Sequence, residues 1–261
     1  MRALYTSATG MMAQQLNLDV IANNLANVNT HGYKRSTVHF KDLLYQTMLA
    51  PGATAAGGGQ VPTGTQVGLG VADAGTSRVF TQGTLQLTGS DTDVAIRGQG
   101  FLRVLMPDGS TAYTRDGTLS VDSQGRLVTA DGYAIQPEVT LPADRETLTI
   151  SPNGTVSVKR QGQTAEETVG QLQLTRFMNP AGLNSLGDNL YAPTAASGEP
   201  QDGSPGENGL GVLVQKALEM PNVEVVEEMI RMITVQRAYE TNSKAIQAAD
   251  EMLQGANNLK R

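Results

Sequence analysis

The sequence predicts an α+β protein in which long α-helices at the N- and C-termini flank a central, mainly antiparallel β domain. All 11 prolines lie between Pro51 and Pro221, and only three of the 29 glycines fall outside residues 36–219. Because proline and glycine interrupt helices and are frequent in turns, the two ends can be helical and the centre cannot be mainly helical. Large apolar residues that recur every seven positions at both ends predict that these helices form a coiled-coil-like inner domain.

The N-terminal helix is predicted from a narrow apolar stripe. Its large apolar residues, spaced seven apart, are Leu4, Met11, Leu18 and Leu25. The tetrapeptide Asn29-Thr30-His31-Gly32 should end the helix, with Gly32 as a left-handed C-terminal cap. The segment is therefore expected to form one helix of roughly 27 residues, about 40 Å long.

The C-terminal segment has the same pattern. Its apolar residues, again spaced seven apart, are Val225, Met232, Tyr239, Ile246 and Leu253. Asn222 is a candidate N-cap, and Glu227 and Glu228 place negative charge where the helix dipole favours it. Gly255 is a candidate stop signal. This segment too is predicted to be one long helix.

The two stripes allow two interpretations. Ordinary amphipathic helices would pack on the β domain of their own chain. Three features favour packing against neighbouring copies instead: the strict spacing of seven, the position at both termini, and helix faces rich in amides, including Asn24 and Asn27. Amides can bond to a neighbouring helix without the cost of burying a charge. Packing that does not close on itself yields a helical filament.

The centre reads as a series of hairpins. Asp108-Gly109, Asp116-Gly117, Gln124-Gly125 and Asp131-Gly132 place predicted turns seven or eight residues apart. A further hairpin is predicted around Asn153-Gly154. Residues 46–70 and 195–209 have no clear period and look like loops.

Several classes of function are disfavoured by composition. The net charge of −6 and the pI near 5.0 argue against nucleic-acid binding. Cysteine is absent, which removes disulfides, thiolate nucleophiles and cysteine-based metal sites. No apolar run approaches the roughly 18 residues of a membrane span, and the first 12 residues do not resemble a Sec-type leader. We therefore expect no direct membrane span, and export, if it occurs, without a cleaved signal peptide.

A catalytic interpretation finds few residues to support it. The two histidines, His31 and His39, lack the partners of a nucleophilic triad. The central aspartates, such as Asp108 and Asp116, are better explained as turn residues than as paired catalytic carboxylates. No metal-ligand spacing is present. We expect a protein that is not an enzyme and that binds no cofactor or metal, with a periplasmic carbohydrate-active enzyme as the alternative for an assay to exclude.

Three stretches carry a family resemblance. ANNLANVNTHGYKR at residues 22–35 resembles the N-terminal signature of flagellar rod and hook proteins. GQGFLRV at residues 98–104, followed by YTRDG at 113–117, resembles their central β domain. Residues 229–244, which include QRAYETNSK, resemble their C-terminal helix. The stretches occur in the family's order and are distributed along the chain from residue 22 to residue 244.

One further segment resembles the distal-rod members of that family. Residues 43–71 are similar to their extended stretch, which packs against neighbouring subunits and is thought to stiffen the rod. The residues of this stretch that we expect to matter are Tyr45, Gln46, Pro51, Gly52, Pro62, Gly64, Gly68 and Gly70. Small side chains there would permit close backbone approach. A proximal rod subunit and a monomeric secreted binding module remain the alternatives.

The resemblance implies a self-assembling helical tube that transmits motor torque. Its inner tube would be formed by the terminal helices, residues 1–35 and 220–261. A β-rich outer domain would contain residues 79–219, and residues 36–78 would connect the inner tube to this domain. The implied partners are further copies of the chain, proximal rod proteins, hook protein, the P- and L-ring proteins and the flagellar type III export apparatus. The implied location is the rod that spans the periplasm in the flagellar basal body.

Overall fold

The computed structural model describes residues 2–52, 62–162 and 165–258, and its chain folds as two units. Unit 1 contains the chain up to Leu25, residues Ser36–Ser77 and the chain from Glu224 onward. Unit 2 contains Ala26–Arg35 and Arg78–Val223. Both units are therefore built from segments that are distant in sequence. The fold is α+β, as predicted.

Unit 1 contains two long helices, α1 (Arg2–Ala26) and α2 (Val225–Asn258). They run antiparallel, because Gly10 of α1 lies against Asn242 of α2 and Asn24 lies against Glu228. The predicted helix at each end is confirmed.

Four strands complete unit 1: β1 (Ser36–Asp42), β2 (Tyr45–Leu49), β3 (Thr65–Gly68) and β4 (Val71–Arg78). Strand β1 pairs with β4, and β2 pairs antiparallel with β3. The loop predicted over residues 46–70 is thus largely a hairpin in its described part. Residues 53–61 of that prediction lie outside the described residues.

Unit 2 is a mainly antiparallel β structure of short strands. Its strands are β5 (Leu85–Leu87), β6 (Val94–Arg97), β7 (Phe101–Leu105), β8 (Thr111–Thr114), β9 (Leu119–Val121), β10 (Leu127–Thr129), β11 (Ala134–Gln136), β12 (Arg145–Ile150), β13 (Thr155–Arg160), β14 (Glu166–Gln171), β15 (Leu174–Arg176), β16 (Asn184–Gly187), β17 (Leu190–Ala192), β18 (Gln201–Gly203), β19 (Val212–Gln215) and β20 (Ala217–Glu219). One 3₁₀ turn, Pro180–Gly182, precedes β16. The predicted second loop at 195–209 contains β18.

The largest sheet of unit 2 has nine strands in the order β16-β17-β8-β7-β11-β10-β9, with β15 on β7 and β18 on β15. A separate three-stranded sheet has the order β12-β13-β14, and β6 pairs with β19 and β5 with β20. An aliphatic core, including Val94, Leu102, Val156 and Leu213, lies within this unit. A smaller aromatic cluster contains Tyr113 and Phe177, whose ring centroids are 4.8 Å apart.

Most of the glycine turns lie where the sequence predicts them. Gly109, Gly125, Gly132 and Gly154 each lie between two strands that pair with each other. The prediction of a hairpin at Asp116-Gly117 is wrong, since β8 pairs with β7 and β17 and not with β9. Gly117 instead packs on backbone: its carbonyl accepts the Val94 N–H (3.0 Å), and a Cβ there would lie 1.6 Å from the Val94 oxygen.

Three predicted helix-end signals have other roles. Helix α2 begins at Val225, so Asn222 is not its N-cap; its amide nitrogen donates to the Val79 carbonyl (2.7 Å). Gly255 does not end α2, which continues to Asn258, because one helical glycine costs only about 1 kcal/mol. Gly32 has the predicted left-handed conformation, yet it lies six residues beyond α1, and its N–H donates to the Glu219 carbonyl (2.8 Å). Asn222 and Gly32 thus bind partners that are distant in sequence.

Candidate assembly surface

The contact between α1 and α2 in unit 1 includes a small residue of α1 and a polar residue of α2, Gly10 and Asn242. A Cβ at Gly10 would lie 3.0 Å from Nδ2 of Asn242, so the helices approach closely there. Ala13 and Ile21 are buried on α1, and Val235 and Ala249 are buried on α2. None of these four buried residues is one of the large residues spaced seven apart.

The predicted stripes lie beside that contact and are partly open. On α1 the stripe residues Leu4, Met11, Leu18 and Leu25 are half-buried. On α2 the stripe is mixed: Met232 and Ile246 are half-buried, and Val225, Tyr239 and Leu253 are exposed. Leu18 and Tyr239 line the same open groove of about 440 Å³ with Gln14 and Gln236. The structure thus brings one residue of each stripe to a shared groove.

The two predicted interface amides have different surroundings. Asn24 is buried, and its side chain donates to the Ser36 carbonyl (2.9 Å) and accepts the Ser36 N–H (2.9 Å). Its amide nitrogen also lies 3.4 Å from Oε2 of Glu228. Asn24 therefore serves packing within unit 1. Asn27 lies beyond α1, in the turn that opens unit 2, where its side-chain oxygen accepts the Thr30 hydroxyl (3.1 Å).

Helix α2 has a second apolar face that sequence reasoning missed. Its residues, each between 50% and 69% exposed, are Val226, Met229, Ile230 and Ile233. At 3.6 residues per turn these positions share one face, opposite the buried Glu228 and Val235. An ordinary surface helix has the reverse arrangement, with apolar residues inside and polar residues outside. The pattern VVEEMIRMI was visible in the sequence, but only Val226 and Ile233 of this face are seven apart, so a search for longer runs of that spacing does not identify it.

A second apolar groove lies on α1. It has a volume of about 300 Å³ and is lined by Tyr5, Met12, Leu16, Leu43 and Val71, among others. Tyr5 and Met12 are exposed. Both helices of unit 1 therefore present apolar side chains to solvent.

The β2–β3 hairpin adds to this exposed surface. Tyr45, Met48 and Leu49 are exposed, and every residue of β2 is open to solvent. A two-stranded hairpin is marginally stable alone in water, so one with an apolar surface is typical of a segment that packs on something else. The predicted residues Gln46, Pro51, Gly52 and Pro62 are exposed as well.

The predicted glycines of this stretch permit close contacts. A Cβ at Gly64 would lie 2.4 Å from the Leu49 carbonyl oxygen, and one at Gly70 would lie 2.3 Å from Oγ1 of Thr9. Gly68 lies under the Tyr45 ring, 3.3 Å from its nearest atom by the same measure. These contacts hold the hairpin in shape and dock its base on α1.

Other kinds of site find little support in this structure. Among residues 2–52, 62–162 and 165–258, no group of three or more histidines, aspartates or glutamates is placed to hold a metal ion. No helix in the same part of the chain is long and apolar enough to cross a membrane. The prominent surface feature is thus the exposed apolar part of unit 1.

Three family models match separate parts of the chain. Residues 4–34 match the family model described as flagella basal body rod protein, and residues 95–158 match the flagellar hook protein FlgE/F/G D1 domain. Residues 214–259 match the flagellar basal body rod FlgEFG protein C-terminal model. The chain is also 50% identical, over the full length of both proteins, to the flagellar basal-body rod protein FlgG of Caulobacter vibrioides. The chain belongs to the flagellar basal-body rod protein family.

Other relatives match over nearly their whole length. The flagellar basal-body rod protein FlgG of Borreliella burgdorferi is 51% identical over 100% of this chain and 99% of its own length. A more distant relative, the flagellar hook-basal body complex protein FlhP of Bacillus subtilis, is 32% identical over 97% of both chains. The family resemblance and the structural role it implied are confirmed, and with them the location in the flagellar basal body.

Proposed function

We propose that this rod-family chain is a subunit of the distal rod, a self-assembling helical tube that carries motor torque through the periplasm to the hook. Full-length similarity to several proteins named FlgG supports the distal position over the proximal one. The hairpin of residues 45–68 supports it further, because it occupies the stretch that resembles distal-rod members.

The observation that carries the proposal is the exposed apolar face of α2. Val226, Met229, Ile230 and Ile233 point away from the buried side of their own helix. Burying one such side chain contributes about 1.5–3 kcal/mol. A second copy of the chain is the fitting occupant, since its α1 carries exposed Met12 and Tyr5 of the same apolar chemistry.

The predicted stripes are assigned to the same assembly. Leu4, Met11, Leu18 and Leu25 on α1 would complete a coiled-coil-like inner tube with Val225, Met232, Tyr239, Ile246 and Leu253 on α2 of the same or neighbouring copies. Half-burial of Leu18 and exposure of Tyr239 around one groove leave room for an inserted side chain. Unit 2 would then supply the outer layer.

The hairpin would bind a neighbouring copy through Tyr45, Met48 and Leu49. Further partners follow from the family: proximal rod proteins, hook protein, the P- and L-ring proteins, and the type III export apparatus, which requires no cleaved leader. Many weak lateral contacts acting together suit torque transmission, because load is shared among them.

Two exposed methionines provide a matched test in purified full-length protein. Met229→Asp places a charge on the proposed contact, whereas Met178→Asp changes a residue of unit 2 that is 81% exposed. We expect wild type and Met178→Asp to self-associate with rising concentration in sedimentation velocity, and Met229→Asp to remain monomeric. Equal association of all three proteins contradicts the proposed contact. A wild type that stays monomeric with protease-resistant ends favours the binding module.

Deletion of the gene tests the position in the rod. Electron microscopy of basal bodies should show the shaft ending at the proximal rod, and the cells should be non-motile. Met178→Asp should restore the shaft and Met229→Asp should not. Basal bodies that lack the proximal rod as well would favour the proximal alternative.

A further inference from the structure

Three charged side chains lie together in the interior of unit 2. Lys34, Arg115 and Glu219, here named the buried ion cluster, are 0%, 4% and 1% exposed. Nζ of Lys34 lies 2.7 Å from Oε1 of Glu219, and Nε of Arg115 lies 2.9 Å from Oε2. The cluster therefore contains two cations and one anion away from water, an arrangement that is costly unless every group is bound.

Glu219 also binds main chain from two other segments. Its Oε1 accepts the Gly83 N–H (2.9 Å), and its main-chain carbonyl accepts the Gly32 N–H (2.8 Å). Lys34 donates in addition to the Thr81 carbonyl (2.7 Å). One residue thus joins segments around positions 32, 83 and 115.

Asn222, three residues after Glu219, forms hydrogen bonds to nearly the same segments. Its side-chain oxygen accepts the Arg35 N–H (2.8 Å), and its amide nitrogen donates to the Val79 carbonyl (2.7 Å) and the Thr81 hydroxyl (2.8 Å). The Val79 N–H in turn donates to the Arg35 carbonyl (2.9 Å). Segments 32–35, 79–83 and 219–222 are therefore bonded to one another.

These segments contain three of the four points at which the chain of unit 2 continues into unit 1, namely Arg35, Arg78 and Val223; the fourth is Ala26. We infer that Glu219 closes unit 2: it holds these three chain ends together as the only anion of the buried ion cluster. In a subunit with the proposed function, a force passed along the chain would reach unit 2 through the bonded segments. The closure itself concerns unit 2 alone and does not depend on that function.

The charge balance of the cluster predicts which substitutions destabilise unit 2 most. Glu219→Gln leaves two buried cations with no anion. Lys34→Met leaves Arg115 and Glu219 as an ion pair with no net charge, so it should destabilise unit 2 much less than Glu219→Gln does. The double variant, Lys34→Met with Glu219→Gln, leaves one cation that the introduced amide oxygen and nearby carbonyls can bind. It should therefore be more stable than Glu219→Gln alone, although it carries one more substitution.

Hydrogen exchange read by mass spectrometry on the full-length variants tests the inference. In Glu219→Gln we expect exchange of peptides covering residues 31–36 and 79–86 to accelerate about a hundredfold or more. Peptides from β13 (Thr155–Arg160) should change less. Asp122→Asn is the control, because it removes an ion pair with Arg126 (2.9 Å) that lies at the surface.

Two results would overturn the inference. One is wild-type protection of residues 31–36 in Glu219→Gln. The other is a double variant that is no more stable than Glu219→Gln: its urea midpoint is no higher, or, where Glu219→Gln fails to fold, the double variant fails to fold as well. Neither readout involves assembly, so failure of the proposed function leaves both tests intact.

Discussion

The amide nitrogen of Asn24 lies 3.4 Å from Oε2 of Glu228 and couples the end of α1 to the start of α2 in the interior of unit 1. Glu228 is fully buried, and Arg231 lies near it at 3.9 Å. A neutral donor beside a buried carboxylate is favourable, whereas a second carboxylate would repel it.

Asn24→Asp should therefore destabilise unit 1 more than Asn24→Ala does. We expect a loss of about 1–3 kcal/mol for alanine, from the broken bonds to Ser36 and Glu228, and a greater loss for aspartate at neutral pH. Urea unfolding followed by helical circular dichroism measures both. Gln15→Ala, on the exposed side of α1, is the control and should change the midpoint little.

Gly10→Leu should separate α1 from α2. A Cβ at Gly10 would already lie 3.0 Å from the side-chain amide nitrogen of Asn242, so the longer leucine side chain must displace it, and overpacking of this kind costs about 1–3 kcal/mol. Gly255→Ala is a control for which we expect the opposite sign. Nothing lies within 4 Å of its Cβ position, so the added helix propensity should raise the free energy of unfolding by about 0.5–1 kcal/mol. A neutral Gly10→Leu in thermal unfolding would disprove the close helix contact.

Substitutions at Gly70 and Gly75 distinguish two reasons why a position requires glycine: backbone conformation and close packing. Both have positive φ, 116° and 137°, but only Gly70 lies against another residue, Thr9. Gly75→Ala should cost only backbone strain, about 1–2 kcal/mol, and Gly70→Ala should cost more. Adding Thr9→Ala should recover part of the difference. Equal losses at the two positions would show that the base of the hairpin does not pack on α1.

Alkaline pH should weaken unit 2 through Tyr191. Burial raises the pKa of this phenol above its ordinary value of 10.0, so its stabilising contribution is complete below pH 10 and is lost as the pH rises through the folded-state pKa. Burial lowers the pKa of Lys34, which makes stability rise with pH, but only from its folded-state pKa up to the ordinary value of 10.5. The comparison that isolates the phenol is wild type against Tyr191→Phe.

We expect the stability of Tyr191→Phe to fall less steeply above pH 10 than that of wild type. Urea midpoints between pH 8 and 11 measure this slope. Tyr45→Phe, which changes an exposed tyrosine, should follow the wild-type curve. Parallel curves for all three proteins would contradict the role of the buried phenol.

Local signals explain how much of the fold could be predicted. Proline and glycine act on the backbone near them, so their distribution alone separates the helical ends from the β centre. Asp108-Gly109 and Asn153-Gly154 specify turns through their own conformations, and those hairpins form as predicted. The family could likewise be identified from short stretches such as residues 22–35.

The failures share one physical cause, which is competition from distant groups. Asn222 is a good helix cap in isolation, yet Arg35 and Val79 offer it stronger partners in the folded chain. Spacings of seven identify apolar stripes but not which face of α2 turns inward, which is the face with the buried residues Glu228, Val235 and Ala249.

The sequence by itself determined the secondary structure of the ends, most of the turns and the family, because these depend on neighbouring residues. Only the tertiary structure decided which apolar residues stay exposed and which charges become buried. Lys34 and Glu219 are 185 positions apart, and no local pattern relates them. Their pairing depends on the whole of unit 2 folding around them.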